Sequence, residues 1–439
     1  MDARSHFQGK KITVMGLGLL GRGLGDVRYL ASQDAELIVT DLKTRAQLAT
    51  SIEALSDFPN STFILGEHRL EDFRNRDYIL KAAGVPLDSP YIAEAREQEI
   101  PIKMSASWFA EITQIPLIGI TGTRGKSTVT HFIHSIFERA GKKTVLGGNI
   151  RGVSTLALLP EVTSEHTAIF ELDSWQLQGF GEAGISPNIA VFTTFFPDHL
   201  NYYKNSMVAY LDDKAQIFLN QKQGDTLVLG RQTEEIVRDA YDGKIVGDVV
   251  VAGEEDLPAG WTLKIPGTHN RYDAALARAA AHAAGIDDTT IRQAVEEFSG
   301  VPGRLELVRT IDGISYYNDT TATTPEATIA ALTALSESGK GVILVTGGAD
   351  KSLDMSSYVE AAKHLAKRII LLGGTGTDRV RGEFPEAPVF DTLAAAFEDA
   401  RVHAESGDSV ILSPAFASFG MFKNEFDRGD QWNTLVLAL

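Results

Sequence analysis

Ile115–Thr128 reads IPLIGITGTRGKST, an apolar run that ends at a threonine and breaks into a glycine loop. Ile115–Thr121 is the pattern of a buried strand, short, β-branched and uninterrupted by charge. From Lys126 to Ala140 the period changes: Val129, Phe132, Ile133, Ile136 and Phe137 recur at the spacing of one buried helix face. Strand, glycine turn and helix in this order open a βαβ unit and predict a parallel sheet. The turn itself, Gly122–Ser127, is a shortened phosphate loop, G-x-x-G-K-S. Glycine there lets backbone N–H groups turn inward around phosphate oxygens, and the helix N-terminus adds positive potential. Lys126 would reach the outer phosphates, and the Ser127 hydroxyl would ligate Mg²⁺. The bland reading, a glycine turn with a chance lysine, leaves the flanking strand and helix unexplained.

Upstream, Lys11–Gly16 and Glu36–Asp41 are two more strand patterns with room for one helix between them. Gly16-Leu17-Gly18-Leu19-Leu20-Gly21 follows the first directly, with Asp41 about twenty residues on, the dinucleotide fingerprint G-x-G-x-x-G. Alone the fingerprint is weak, because any tight strand-to-helix turn favours glycine; its context points to nucleotide-type binding without saying which nucleotide. Downstream, Ala168–Leu172, Ile189–Thr194 and Thr226–Leu229 are further strands. The punctuation Gly300–Arg304 then opens a last block, with strands at Ile314–Tyr317, Val342–Thr346, Ile369–Leu372 and Val410–Leu412. The pattern is α/β throughout and predicts three domains, 1–105, 106–302 and 303–439. That division suits 439 residues, more than one core usually fills.

Composition narrows the function classes. The chain has no cysteine, hence no disulfide, thiolate cluster or cysteine nucleophile. Its net charge of −17 opposes nucleic-acid binding, which depends on clustered Lys and Arg. No run approaches eighteen apolar residues and the first residues are polar, so neither a membrane span nor a secretory signal is expected, and the cytoplasm is the expected compartment.

A third group of residues stands at or beyond predicted strand ends, where ligands bind in α/β folds: Glu171, then Asp198-His199. A carboxylate beside a phosphate loop is a natural Mg²⁺ ligand, hard oxygen for a hard cation. A surface Asp-His pair is the plainer alternative for His199, and Lys214, in a helical stretch beyond, carries no signal of its own.

In order and spacing, Thr121–Thr128, Gly148-Asn149, Glu171 with Ser174-Trp175-Gln176, Asp198-His199-Leu200 and Pro266–Asn270 (PGTHN) resemble the Mur ligases. Gly303-Arg304, Asn318-Asp319 and Ser413–Phe419 (SPAFASF) continue the likeness, which runs from Gly9 to the C-terminus. Length, N-terminal glycine fingerprint and C-terminal segment are most like the glutamate-adding members. The resemblance implies a Rossmann-like first domain, a central P-loop ATPase-type domain with a mostly parallel sheet, and a Rossmann-like last domain. It implies ATP-dependent amide ligation through an acyl phosphate, with UDP-N-acetylmuramoyl-L-alanine and glutamate as substrates, ATP, two Mg²⁺ ions and a monomer.

The same resemblance distributes roles. Gly122, Thr123, Arg124, Gly125, Lys126, Ser127 and Thr128 would hold the ATP phosphates, Asn270 the adenine, and Arg304 and Asp319 would reach the nucleotide from the last domain. Ser127 and Glu171 would hold one Mg²⁺, His199 and Lys214 a second, with Lys214 carbamylated by CO₂ into an anionic oxygen donor. Leu19, Leu20, Asp41 and Gly84 would hold the UDP, and Asn149 the muramoyl part. Thr323, Lys351 and Ser418 would seat glutamate. The chain departs from the family pattern at Arg124 (usually Asn), Asp173 (usually Ser), Ala82-Ala83-Gly84 (usually Ser-Pro-Gly) and Asp273 (commonly Asn). In Asn318–Thr324 (NDTTATT) the usual lysine is missing. That loss keeps an L-glutamate-adding relative open, and folylpolyglutamate synthetase shares the short loop without the N-terminal fingerprint. A nicotinamide-dependent oxidoreductase would leave Gly122–Ser127 idle, and a non-catalytic regulator would not need Glu171, His199 and Lys214 together.

Overall fold

In the computed structural model, which describes residues 6–18, 21–150, 152–265, 267–336, 339 and 341–439, three sheets form. Leu19 and Leu20, expected to contact UDP, lie outside the described residues. The first sheet contains β1 (Lys11–Met15), β2 (Glu36–Asp41), β3 (Ser61–Leu65), β4 (Tyr78–Lys81) and β5 (Ile102–Lys103) in the order β3-β2-β1-β4-β5, every pair parallel. The second contains β6 (Leu117–Thr121), β7 (Lys143–Gly148), β8 (His166–Glu171), β9 (Ile189–Phe192), β10 (Thr226–Gly230) and β11 (Asp248–Ala252) in the order β11-β10-β9-β6-β8-β7, again wholly parallel.

Parallel sheets are covered on both faces, and the central strands show it: all five residues of β6 are buried. The helix Lys126–Arg139 covers the second sheet with the five apolar residues expected from its spacing, each fully buried. Burying one such side chain contributes roughly 1.5–3 kcal/mol, so this face anchors the loop that precedes it. Both sheets change direction of winding beside their first strand, at β1/β4 and around β6. Ligands in open α/β sheets bind at the carboxyl ends of strands flanking such a point.

The third sheet contains β12 (Glu306–Ile311), β13 (Ile314–Asn318), β14 (Val342–Gly347), β15 (Arg368–Leu372), β16 (Val389–Phe390) and β17 (Ser409–Leu412) in the order β12-β13-β17-β14-β15-β16. Only the β12–β13 hairpin is antiparallel among the described strands. The first two sheets belong to one compact unit, residues up to Pro258 with Asp273–Ala294; the third belongs to another, Ala259–Tyr272 with Val295–Leu439. Among the described residues no helix is long and apolar enough to cross a membrane.

Candidate active site

The phosphate loop leaves β6 at Thr121. Gly122 has φ +144°, and a Cβ there would overlap the Thr193 hydroxyl, so only glycine lets the loop pass so close to the end of β9. Gly125, at φ +85°, precedes the helix, and a Cβ on it would stand 2.5 Å from the Asp273 carboxylate. The departure at Asp273 therefore puts a buried carboxylate against the loop. Thr123 is pinned by the Phe196 N–H at 3.0 Å, and Arg124 N–H donates to Thr194 Oγ1 at 2.8 Å while its side chain stays exposed. Lys126 Nζ folds back to donate to Gly122 O and Thr123 O, each at 3.1 Å. Thr128 is half-buried in the first turn of the helix.

Beside the loop, Glu171 ends β8 and is buried. Ser127 Oγ donates to its Oε2 at 2.5 Å, and Asn149 Nδ2 donates to its Oε1 at 2.9 Å. Two hard oxygens, one hydroxyl and one carboxylate, thus converge beside a phosphate loop, a donor set that fits Mg²⁺. Among the described residues no group of three or more His, Asp or Glu gathers as a metal cage.

Lys214 meets the loop directly, and His199 lies close enough to feel the charge of Lys126. Lys214, 1% exposed, donates from Nζ to Gly122 O at 2.7 Å, the carbonyl that Lys126 also contacts, and lies 4.8 Å over the Tyr210 ring. Burial, then repulsion from Lys126, pulls its ammonium well below the ordinary lysine value. His199 adopts φ +52° and packs against Trp175 with ring centres 4.6 Å apart. Burial lowers its pKa, which favours the neutral imidazole a metal needs.

A cavity of about 430 Å³ opens at the winding reversal of the first sheet. Its walls include Gly16, Gly18, Arg22, Lys43, Lys81 and Gly84. Asp41 shapes it: one carboxylate oxygen accepts the Gly18 N–H and the other the Lys43 N–H, both at 2.9 Å. Lys81 is buried, donates to Val85 O at 2.6 Å, and is lowered by desolvation to about 8. Arg22 and Lys81 escaped the sequence reading. The only signals were a cation straight after the glycine fingerprint and another straight before the Ala82-Ala83-Gly84 loop.

Asp173, which stands where the family usually has serine, is a helix cap. It accepts the Gln176 N–H at 2.7 Å in a capping box that opens the helix Ser174–Ala183. Asp173→Ala is expected to cost about 1 kcal/mol, read as a lowered thermal midpoint.

In the second unit, three loops at the carboxyl ends of β13, β14 and β17 are stitched together. Ala415 N–H donates to Ala322 O at 2.9 Å, and Ala349 and Ala417 exchange backbone bonds at 2.9 and 3.1 Å. The expected glutamate residues sit on these loops: Lys351 Nζ donates to Thr323 Oγ1 at 3.1 Å, and Ser418 is buried. Thr321, close to where the family lysine is missing, gives its hydroxyl to Gly303 O at 2.9 Å. Arg304 is exposed, and Asn270 is buried in the first turn of the helix Thr268–Ala283.

Asp319 is nearly enclosed. It accepts the Leu305 N–H at 3.0 Å and the Ser413 hydroxyl at 2.7 Å, and burial raises its carboxyl from 3.8 to about 7. The fold thus binds a proton that the unfolded chain releases. The stability this group contributes is complete below pH 3.8 and drains away as pH rises toward 7. Asp319→Asn is expected to flatten that loss in denaturant unfolding measured across this range. Its amide can donate to Ser413, which in turn reaches Thr328 Oγ1 at 3.0 Å. An unchanged slope would assign the titration elsewhere.

Family models match along the chain: Mur ligase MurD-like N-terminal domain over residues 10–104, Mur ligase middle domain over 120–275, and Mur ligase glutamate ligase domain over 303–416. UDP-N-acetylmuramoylalanine–D-glutamate ligase of Roseiflexus sp. (strain RS-1) is 38% identical, covering 98% of both chains. The enzyme of the same name from Acetivibrio thermocellus is 32% identical over 100% of this chain and 98% of its own. Among solved structures, UDP-N-acetylmuramate-alanine ligase from Thermotoga maritima aligns with a TM-score of 0.61 at 19% identity, covering 98% of this chain and 99% of that one. Folylpolyglutamate synthase from the same organism aligns at 0.56 and 14% identity over 76% of this chain and 93% of that one, a likeness of fold.

Proposed function

The chain belongs to the Mur ligase family, and from that premise we propose that it joins D-glutamate to UDP-N-acetylmuramoylalanine at the expense of ATP, in peptidoglycan precursor synthesis. It is an ATP-dependent ligase. The observation that carries the reading is a full-length likeness to D-glutamate ligases joined to a phosphate loop whose Ser127 meets the Glu171 carboxylate.

In this reading the division of labour follows 1–105, 106–302 and 303–439. The substrate's alanyl carboxylate attacks the γ-phosphate, releasing ADP and leaving an acyl phosphate. The amine of glutamate then displaces inorganic phosphate and forms the amide. Both steps crowd negative charge, so the chain must supply cations and donors where that charge develops. Lys126 turns from the loop carbonyls to the outer phosphates, and Gly122–Gly125 offer backbone N–H groups. Arg124, in place of the family's usual Asn, adds a cation at the mouth.

Ser127 and Glu171 would hold one Mg²⁺ and His199 with carbamylated Lys214 a second; the ions neutralise phosphate oxygens when bound. The lowered pKa of Lys214 supports the carbamate: a neutral amine adds to CO₂ and loses a proton, leaving an anionic oxygen donor. By resemblance Asp41 and Gly84 would serve UDP, Asn149 the muramoyl part and Asn270 adenine, while Arg304 and Asp319 would serve the nucleotide. Lys351, with Thr323 and Ser418, would seat glutamate. A monomer in the cytoplasm completes the reading.

The test is phosphate release from ATP with each substrate omitted in turn and with D- and L-glutamate side by side. Release should require UDP-N-acetylmuramoylalanine and D-glutamate together. Turnover indifferent to the UDP substrate would overturn the ligase reading, and preference for L-glutamate would move the enzyme to the other stereochemical class.

A further inference from the structure

Arg22 is the first residue of the helix Arg22–Ser32, and its side chain lines the first-sheet cavity. Its Nη1 donates to Asn149 Oδ1 at 2.6 Å, across 127 residues of sequence. Asn149 Nδ2 donates in turn to Glu171 Oε1 at 2.9 Å, and the other oxygen of Glu171 accepts from Ser127 in the phosphate loop. A continuous line of hydrogen bonds therefore joins the cavity to the loop.

The chemistry of the middle residue gives the line a direction. An asparagine amide can face a carboxylate usefully in only one of its two orientations, with the NH₂ toward the acceptor. A guanidinium has five donors and no acceptor, so Arg22 selects that orientation by claiming the amide oxygen. The backbone is already set: Asn149 N–H donates to Glu171 O at 2.7 Å, and Gly148, at φ +79°, lets the strand ends approach so closely that a Cβ would overlap that carbonyl. What remains free in Asn149 is the amide rotation, and Arg22 removes it.

We propose that Arg22 is a positioning residue: through Asn149 it orients the Glu171 carboxylate for the divalent cation, so that a residue of the substrate cavity tunes the metal side of the ATP site. The proposal rests on the reading of Glu171 as a cation ligand. Partners behind a ligating group commonly change metal affinity by about 10–100-fold when removed.

The test titrates Mn²⁺, as a spectroscopic stand-in for Mg²⁺, into the full-length protein saturated with a non-hydrolysable ATP analogue and follows water-proton relaxation. Arg22→Met is expected to weaken Mn²⁺ binding at least about tenfold and to raise the Mg²⁺ concentration for half-maximal turnover, with the KM for glutamate unchanged. Arg22→Lys, which keeps a donor for Asn149, should recover part of the loss, and it carries the test if the Met variant does not fold. In an Asn149→Ala background, Arg22→Met should add nothing further, because the relay is already cut. Wild-type Mn²⁺ affinity in Arg22→Met, or full additivity with Asn149→Ala, would overturn the proposal. Glu171→Gln is measured alongside. If it too leaves Mn²⁺ binding unchanged, the reading of Glu171 falls; if it alone loses the ion, only the role of Arg22 falls.

Discussion

Lys214→Ala is expected to lower ligation on the order of 10³-fold, the scale of losing a preorganised charge at a phosphoryl-transfer site. Part of the activity should return with formate, acetate or propionate. The side chain is enclosed, 2.7 Å from Gly122 O and against the Tyr210 ring, so truncation leaves a pocket beside the phosphate loop that a small carboxylate can enter. Such an acid replaces the oxygen donor that a carbamate would supply, whereas a small amine would restore only the unmodified lysine. Phosphate release assayed across a series of acids and amines separates the two. Rescue by amines, or near-normal activity without any additive, would count against the carbamate. The direction of the lysine shift adds a second check: carbamylation consumes the neutral amine, so a ¹³C carbamate signal from labelled CO₂ should persist to lower pH than for an ordinary exposed lysine.

Lys126→Ala is expected to abolish ATP use, again by on the order of 10³-fold or more in ATP-dependent phosphate release. Affinity for the UDP substrate should stay within a few-fold, because Lys126 is not among the residues lining the first-sheet cavity. Isothermal titration with the UDP substrate, set beside the kinetic loss, distinguishes a dead nucleotide site from a damaged fold. Lys126→Arg should restore little, since a planar fork does not replace a compact ammonium inside a tight glycine turn. Wild-type turnover in Lys126→Ala would reject the phosphate-loop reading.

Much of the framework is legible residue by residue because burial writes a period into the chain. Val129, Phe132, Ile133, Ile136 and Phe137 announce their helix, and the apolar runs at β1, β2, β6, β9, β10, β14 and β17 announce strands covered on both faces. Among the described residues seven strands escape, β3, β4, β5, β7, β11, β12 and β16, and for four of them surroundings or length give the reason. β7 ends in two glycines needed for close approach to β8; β12 carries Glu306 and Arg309 in an antiparallel hairpin at a sheet edge; β5 and β16 are two residues each.

The site divides along the same line. Glycines, Lys126, Ser127 and Glu171 could be proposed from sequence because phosphate and Mg²⁺ chemistry demands those residue types close to a strand end, and a strand end is a local property. Asp173 shows the limit: a carboxylate in a family motif has a local task as a helix cap, which its spacing to Gln176 also encodes. The environment of Lys214, the enclosure of Asp319 and the line Arg22–Asn149–Glu171 have no local signature. Each depends on segments about 90 to 130 residues apart meeting with atoms within hydrogen-bonding distance. Periodicity records which face of an element is dry; it does not record which distant donor arrives there. Desolvation and amide orientation, which set the Lys214 pKa and aim the Glu171 carboxylate, therefore emerge only when the sheets are assembled.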